Sequence, residues 1–223
     1  YQRPRRTPAV SEWATYTLSD FLMFSARTYY RLIELYNVAV WPLHLLAVAM
    51  GIALIILSRR SGRIAAVGLG VCWLWVAWAF HAVQYATINS AALYFAAGFA
   101  LQGLLLIFVG RLHAAGSQLG LSLLMAALIG YPFIVLVSGR PWQQVEVFGI
   151  SPDPTVAVTL AFLAHSPRAH RVLWVVPLMW SAVSGATLWT MHLLDAWILP
   201  LLALLALLRR VYLYRFEGPH SNS

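Results

Sequence analysis

The sequence predicts an all-helical membrane protein: a bundle of seven transmembrane helices, the fifth of them short, preceded by an amphipathic helix lying at the membrane interface. Three observations predict it. The 223 residues are 61% hydrophobic and only 10% charged, where an ordinary soluble domain carries about 25% charged residues. Apolar runs recur along almost the whole chain, most of them near the ~20 residues that a helix needs to cross ~30 Å of hydrocarbon. Such runs must be helices, because an open strand would leave backbone N–H and C=O groups unpaired in lipid.

Residues 1–17 read as a tail. Its first stretch, YQRPRRTPAV, is rich in Arg and Pro and lacks the apolar core of a signal peptide. Residues 18–36 mix aromatics with two Arg and two acids, and predict an amphipathic helix with Tyr and Phe at headgroup level. Ser19 and Asp20 are candidate caps for it. The membrane domain occupies 37–212, with spans at 38–58, 64–85, 91–109, 117–137, 172–191 and 193–212. The fifth span, TVAVTLAFLAHS at 155–166, has 12 residues before Pro167, or roughly 18 Å at 1.5 Å per residue. Within the seventh, LLALLALLRR at 201–210 is low in complexity and fits a lipid-facing helix. Residues 213–223 form a C-terminal tail. The two halves show no matching broken helices of the transporter kind.

Charge decides that the short fifth span crosses. If it does, one side of the membrane holds nine Arg against one acid, and the other six Arg against six acids. Among short loops, the poor side has Arg140 alone. The rule that cytoplasmic loops carry the excess of Lys and Arg then places the N-terminus outside and the C-terminus in the cytoplasm. The Arg-bearing N-terminal tail runs against this, but it is one segment against four concordant ends.

Composition also excludes whole chemistries. All 15 basic residues are Arg, so no Schiff base and no Lys-dependent P-loop is available. A single cysteine, Cys72, excludes an intrachain disulfide or a Cys-rich metal site. The net charge of +8 is spread over loop ends rather than gathered on one face, which favours a bilayer and not nucleic acid as partner.

The stretch GRPWQQVEVFGISPDPT, 139–155, is polar and stiff between two apolar runs. Asp153 reads as an N-cap and Pro154 as the first residue of the fifth helix. A helix that short starts below the outer surface, so the preceding chain must descend to meet it. Backbone at that depth has to be covered by protein or line a wet cavity. The stretch therefore predicts either a plug between helices or the wall of an outward-facing recess.

Other polar groups gather at the same outer boundary. Trp78, His81, Tyr85 and Asn89 follow helical spacing on one face. His44 lies about two turns inside span one, at a depth like that of His81. Span six ends in Thr190, His192 and Asp195, the last two spaced to meet on a helix. With Trp142, Glu146 and Asp153 these make an outer polar cluster. Three His and several carboxylates could bind a transition metal, but no HxxxH or HExxH spacing sharpens that, and no metal or other cofactor is expected. Glu34, Glu146, Asp153 and Asp195 read as solvated boundary acids. His165, His170 and the cytoplasmic Arg read as a solvated surface facing lipid phosphate. No Asp, Glu or Arg falls at mid-membrane, which counts against a proton-driven carrier or voltage sensor.

The stretches SEWATYTLSDFLMFSARTYYRLIELYN, WLWVAWAFHAVQYATINSAALYFAAGFALQ, GRPWQQVEVFGISPDPT and SGATLWTM resemble an uncharacterised family of bacterial integral-membrane proteins, a domain of unknown function, over roughly residues 11–212. The resemblance implies a bacterial inner-membrane protein of several spans and no activity. Members tend to carry Trp where Ala14 and Ser90 stand here. The expected function is non-enzymatic: an accessory or structural subunit that docks a protein partner or lipid at the outer face. The alternatives are a small-solute transporter or binding protein using an outer recess, and a membrane enzyme with a His/carboxylate metal site.

Overall fold

The computed structural model describes residues 24–112, 118–166 and 169–216. Among these, every regular element is a helix. The first, α1 (Ala26–Val40), is capped by Ser25, whose side chain accepts from the Thr28 N–H at 3.2 Å. The expected caps Ser19 and Asp20 lie outside the described residues. Tyr29, Tyr30, Leu32, Ile33, Tyr36 and Asn37 are buried, and their spacing of three to four makes one apolar face. Arg31 and Glu34 pair on the opposite side. The helix is amphipathic, as expected, but it runs past 36.

The expected continuous span at 38–58 is broken. Between α1 and α2 (Leu43–Ser58) the chain turns by 86°. Pro42 has no N–H to continue a helix, and the residue before a proline is pushed out of the α region; Trp41 is accordingly extended, with ψ 136.

The next elements are α3 (Gly62–Trp75), prolonged by a π-helical stretch Val76–Gln84 and a 3-10 turn Tyr85–Thr87, and α4 (Ala92–Val109). They pack closely through glycines. A Cβ on Gly70 would stand 2.7 Å from the Gly103 carbonyl oxygen, and one on Gly103 would stand 2.9 Å from the Gly70 oxygen. Backbones approach this closely only where a side chain is missing. Next come α5 (Gln118–Met125), a second π stretch Ala126–Gly130, the turn Tyr131–Phe133 and α6 (Ile134–Val137). The chain ends with α7 (Pro152–His165), α8 (Val175–Thr190) and α9 (Ile198–Phe216).

Among the described residues, five segments are long and apolar enough to cross a membrane: Gly62–Thr87, Ala92–Val109, Gly120–Val137, Arg171–Thr190 and Leu194–Leu213. The bent α1–α2 pair raises the number to six if it counts as one span. The expected fifth span, α7, falls short of that length. At 14 residues α7 is about 21 Å long. Yet every residue in it except Ala161 is buried, because α3, α5, α8 and α9 all pack against it. It is the axis of the bundle.

The bundle has two dissimilar ends. At one, Arg63 donates to the Gly110 carbonyl and Arg210 to the carbonyls of Ser166 and Ala169. This arginine end also carries Arg59, Arg60, Arg111 and Arg171 in its turns. The other end holds the segment 138–151, whose residues 145 and 147–151 are buried. We call it the plug end.

Candidate functional site

The plug is built by local rules. At the end of α6, Gly139 adopts φ +67, the Gly139 N–H donates to Leu136 and the Arg140 N–H to Val135. This is a glycine-terminated helix end of the Schellman type, and it fixes the point from which the Arg140 side chain leaves. Further along, Gly149 at φ +73 occupies the third position of a turn closed by Ile150 N–H to Val147 O at 3.1 Å, where positive φ favours Gly. Two residues of α1 clamp the plug from above. Asn37 Nδ2 donates to the carbonyls of Gln143 and Val145, at 2.9 and 2.8 Å, and Tyr36 OH to Ile150 O at 3.2 Å. From below, the Thr155 hydroxyl accepts from the Gly149 N–H at 2.8 Å and donates to Ser151 O at 2.7 Å. Of the two expectations for 139–155, the plug describes this arrangement.

The expected cap at Asp153 is corrected. The helix starts two residues earlier, with Ser151 at the N-cap and Pro152 first, and no side chain caps it. The carboxylate of Asp153 turns sideways instead. Its Oδ1 accepts from Trp180 Nε1 at 2.7 Å, and its Oδ2 from Ser184 Oγ at 2.6 Å and Tyr131 OH at 3.4 Å. It stands in the first turn of α7, where the helix dipole favours a negative charge. One group thus ties α7 to α8 and to the turn after α5.

Beside it lies a second carboxylate group. Asp195 Oδ2 accepts from Arg140 Nη2 at 3.0 Å and from Tyr30 OH at 3.2 Å. The Arg140 guanidinium also lies 4.2 Å from the centre of the Tyr30 ring, a favourable cation–π placement. Glu146 approaches Arg140 Nη1 at 3.9 Å. Burial, followed by the charge of Asp153, pushes the carboxyl of Glu146 above the usual carboxylate range, against the opposing pull of Arg140. Arg140 Nε and Glu146 Oε1 are buried without a hydrogen-bond partner. Reading these acids as solvated is therefore wrong for three of the four. Asp153 is 2% and Asp195 9% exposed, and the Glu146 side chain 11%; Glu34 alone pairs at the surface with Arg31.

The histidines do not converge. His81 is fully buried in a cage of Phe80, Tyr85, Phe95, Phe99 and Trp180, and neither ring nitrogen has a partner. His44 stands in the first turn of α2, not two turns deep, with Nε2 3.1 Å from Asn37 Oδ1. His192 is exposed at φ 57. It closes α8 through bonds from His192 N–H to Trp189 O and Leu193 N–H to Leu188 O. This Schellman geometry turns the chain before Asp195, so the two residues do not share a helix and do not meet. Thr190 donates locally to Thr187 O. Among the described residues no three His, Cys, Asp or Glu stand together as a metal-ligand group.

The expected common face of Trp78, His81, Tyr85 and Asn89 is also corrected. Trp78 is 60% exposed while His81 is 0% exposed. The stretch is π-helical, and its i→i+5 bonding widens each turn, so α-helical spacing no longer marks one face. Tyr85 is buried among Phe24, Tyr29, Phe80 and Phe95. Asn89 Oδ1 instead accepts from the Ala91 N–H at 2.9 Å in the turn that follows. At the arginine end His165 is buried, with Nδ1 2.8 Å from Ala161 O, and is not part of a solvated surface.

On the flank of the plug, the α1–α2 elbow leaves a groove of about 430 Å³. Its walls include Val38, Trp41, Leu45 and Trp142, and Asn37 and His44 lie along it. Trp41, Val38 and Leu45 are more than half exposed, and Trp142 is 52% exposed.

Sequence reasoning missed Tyr30, Tyr131, Trp180 and Ser184 as partners of the acids. It counted Arg140 only as a charge. That residue carried a usable signal: it is the one Arg in the short loops of an otherwise Arg-poor side, and a charge against the trend invites a structural reason.

Residues 26–220 match the model of a family of unknown function, DUF6064. No curated protein and no solved structure matches the chain.

Proposed function

From the premise that the chain belongs to the DUF6064 family, whose membership supplies no activity, we propose that it is a multi-pass protein of the bacterial inner membrane and a non-enzymatic accessory or structural subunit. In this reading it crosses the bilayer seven times, counting the bent α1–α2 pair and α7, with the plug end outside and the arginine end in the cytoplasm. The reading includes no resident cofactor. Its work is to dock an apolar partner, lipid or the helix of another membrane protein, at the outer face.

The observation that carries it is the groove beside the plug. Residues 145–151 fill the recess at the plug end, clamped by Tyr36, Asn37 and Thr155. What stays open is an apolar flank with Trp41 and Trp142 at its edge, and exposed aromatic residues over a concave apolar wall suit an anchoring surface. The test is purification from native membranes in mild detergent, comparing the parent with Val38→Arg and Leu45→Arg. A stoichiometric partner or lipid that is lost from both variants, while folding is kept, is the expected result. A chain that purifies alone, or a partner held equally by both variants, overturns it. Elemental analysis showing about one metal per chain would overturn the cofactor-free part of the reading.

One observation favours a second reading, a small-solute binding protein. Within the plug segment, Arg140 Nε and Glu146 Oε1 are buried polar atoms without partners, and such atoms ordinarily have a protein or water partner. A polar solute that stabilises the protein, and does so in Trp142→Ala but not in Arg140→Gln, would favour this reading over docking.

A further inference from the structure

We propose that the pocket between the start of α8 and the end of α9, at the arginine end, binds the phosphate of an anionic phospholipid. The pocket has a volume of about 700 Å³. Arg171, Arg210, Arg215 and His170 line it, and no acidic residue does so among the described residues. Like charges brought into one pocket repel, so the arrangement favours a bound anion. Arg210 is held in place: Nη1 donates to Ser166 O at 2.7 Å and Nη2 to Ala169 O at 3.4 Å. A guanidinium has five N–H donors, so the anchored group keeps others for a ligand. The ion pairs found among the described residues involve Arg31 and Arg140 only, which leaves Arg171 and Arg215 without an acidic partner there. The Nδ1 of His170 accepts from the Val172 N–H at 3.4 Å. This puts the proton of a neutral ring on Nε2, as a further donor.

The walls identify the anion as part of a lipid. Trp174, Leu207 and Val211 continue the pocket as apolar surface, and Leu207 and Val211 are exposed. A free phosphate has no use for such walls. A glycerophospholipid places its phosphate among cations and its glycerol and acyl chains along the helix. Basic pockets between helices on the cytoplasmic side are suited to anionic headgroups. The inference rests on the membrane reading above and concerns the opposite end of the molecule from the docking groove.

The test uses the full chain in detergent, titrated with phosphatidylglycerol, phosphatidylcholine or inorganic phosphate, read by native mass spectrometry and thermal unfolding. Phosphatidylglycerol should be retained and should raise the melting temperature, with phosphatidylcholine weaker by about tenfold or more. Arg171→Gln with Arg215→Gln should weaken phosphatidylglycerol by about thirtyfold, at two surface charges removed, and leave the lipid-free melting temperature unchanged. Arg59→Gln with Arg60→Gln, at the same end but outside the pocket, should leave binding unchanged. Equal binding of the two lipids, or no loss in the pocket variant, overturns the proposal. Inorganic phosphate that competes fully at millimolar concentration assigns the pocket to a free anion and overturns the lipid. Alkaline carbonate washing of membranes keeps the two readings apart: release of the protein removes the membrane reading, while retention with no phosphatidylglycerol preference removes this site alone.

Discussion

Asp153 accepts hydrogen bonds from three other side chains, and its substitution separates the loss of an acceptor from the loss of a charge. Asp153→Ala strands the Trp180 N–H and the Ser184 hydroxyl in a buried site, at ~1–3 kcal/mol for each unsatisfied group. It should lower the melting temperature in detergent clearly. Asp153→Asn keeps an acceptor oxygen and should lose less; equal losses would mean that these bonds do not hold the helices. Glu146 gives a pH dependence. Its carboxyl sits above the usual range because it is buried, so the folded chain binds that proton more tightly than the unfolded one. The stability linked to it is complete below the ordinary carboxylate range and is lost as pH rises from there toward neutrality. The melting temperature should fall over that interval, and Glu146→Gln should flatten the fall; an unchanged slope in the variant would contradict the assignment. The sequence marked Asp153 by its place before Pro154, and that much was legible. Its sideways partners were not, because Trp180 and Ser184 lie 27 and 31 residues away in sequence and no local periodicity records such a contact.

At the scale of elements, the glycine contact between α3 and α4 gives substitutions of opposite sign. Gly103→Ala places a methyl group against the Gly70 carbonyl and Leu74. Parting the helices should cost about 1–3 kcal/mol, as overpacking does. In the same helix a Cβ at Gly98 meets nothing within 4 Å, so Gly98→Ala should be neutral or stabilise by ~0.4–1 kcal/mol. Thermal unfolding of the two variants checks both signs, and a matching gain in each would indicate that helix propensity, not contact, governs α4. The long apolar runs were readable from sequence because hydrophobic length is local. The π stretches were not. Val76–Gln84 has the composition of any apolar helix, and its wider turns moved Trp78 outward and His81 inward. The α1–α2 elbow was half legible: Pro42 stood in plain view, but apolar residues on both sides of it masked the break.

For the whole molecule, the proposed orientation follows from the distribution of Arg. With Cys72 replaced by Ala, Trp142→Cys offers a thiol at an exposed position on the plug segment. In intact cells an impermeant maleimide should label it from outside. Labelling only after the cytoplasmic face is opened would invert the proposed topology and move the groove beside the plug to the other side. The two ends differ in kind as well as charge. The arginine end uses guanidiniums to bind carbonyls between helices, whereas the plug end uses carboxylates, tyrosines and one arginine inside the bundle.

The enclosed position of α7 has a consequence for how the chain is made. On the proposed membrane placement, a 14-residue helix with a carboxylate in its first turn makes a poor stop for a ribosome-bound insertion channel, since a lone buried charge is costly in lipid. Two of its walls, α8 and α9, are synthesised after it. The segment should therefore pass through a waiting stage and enter its place only when the last hairpin arrives. Chains truncated and released before residue 175 should leave a glycosylation acceptor after residue 166 on the outer side in a microsomal assay. Chains released after residue 216 should hold that position in the cytoplasm.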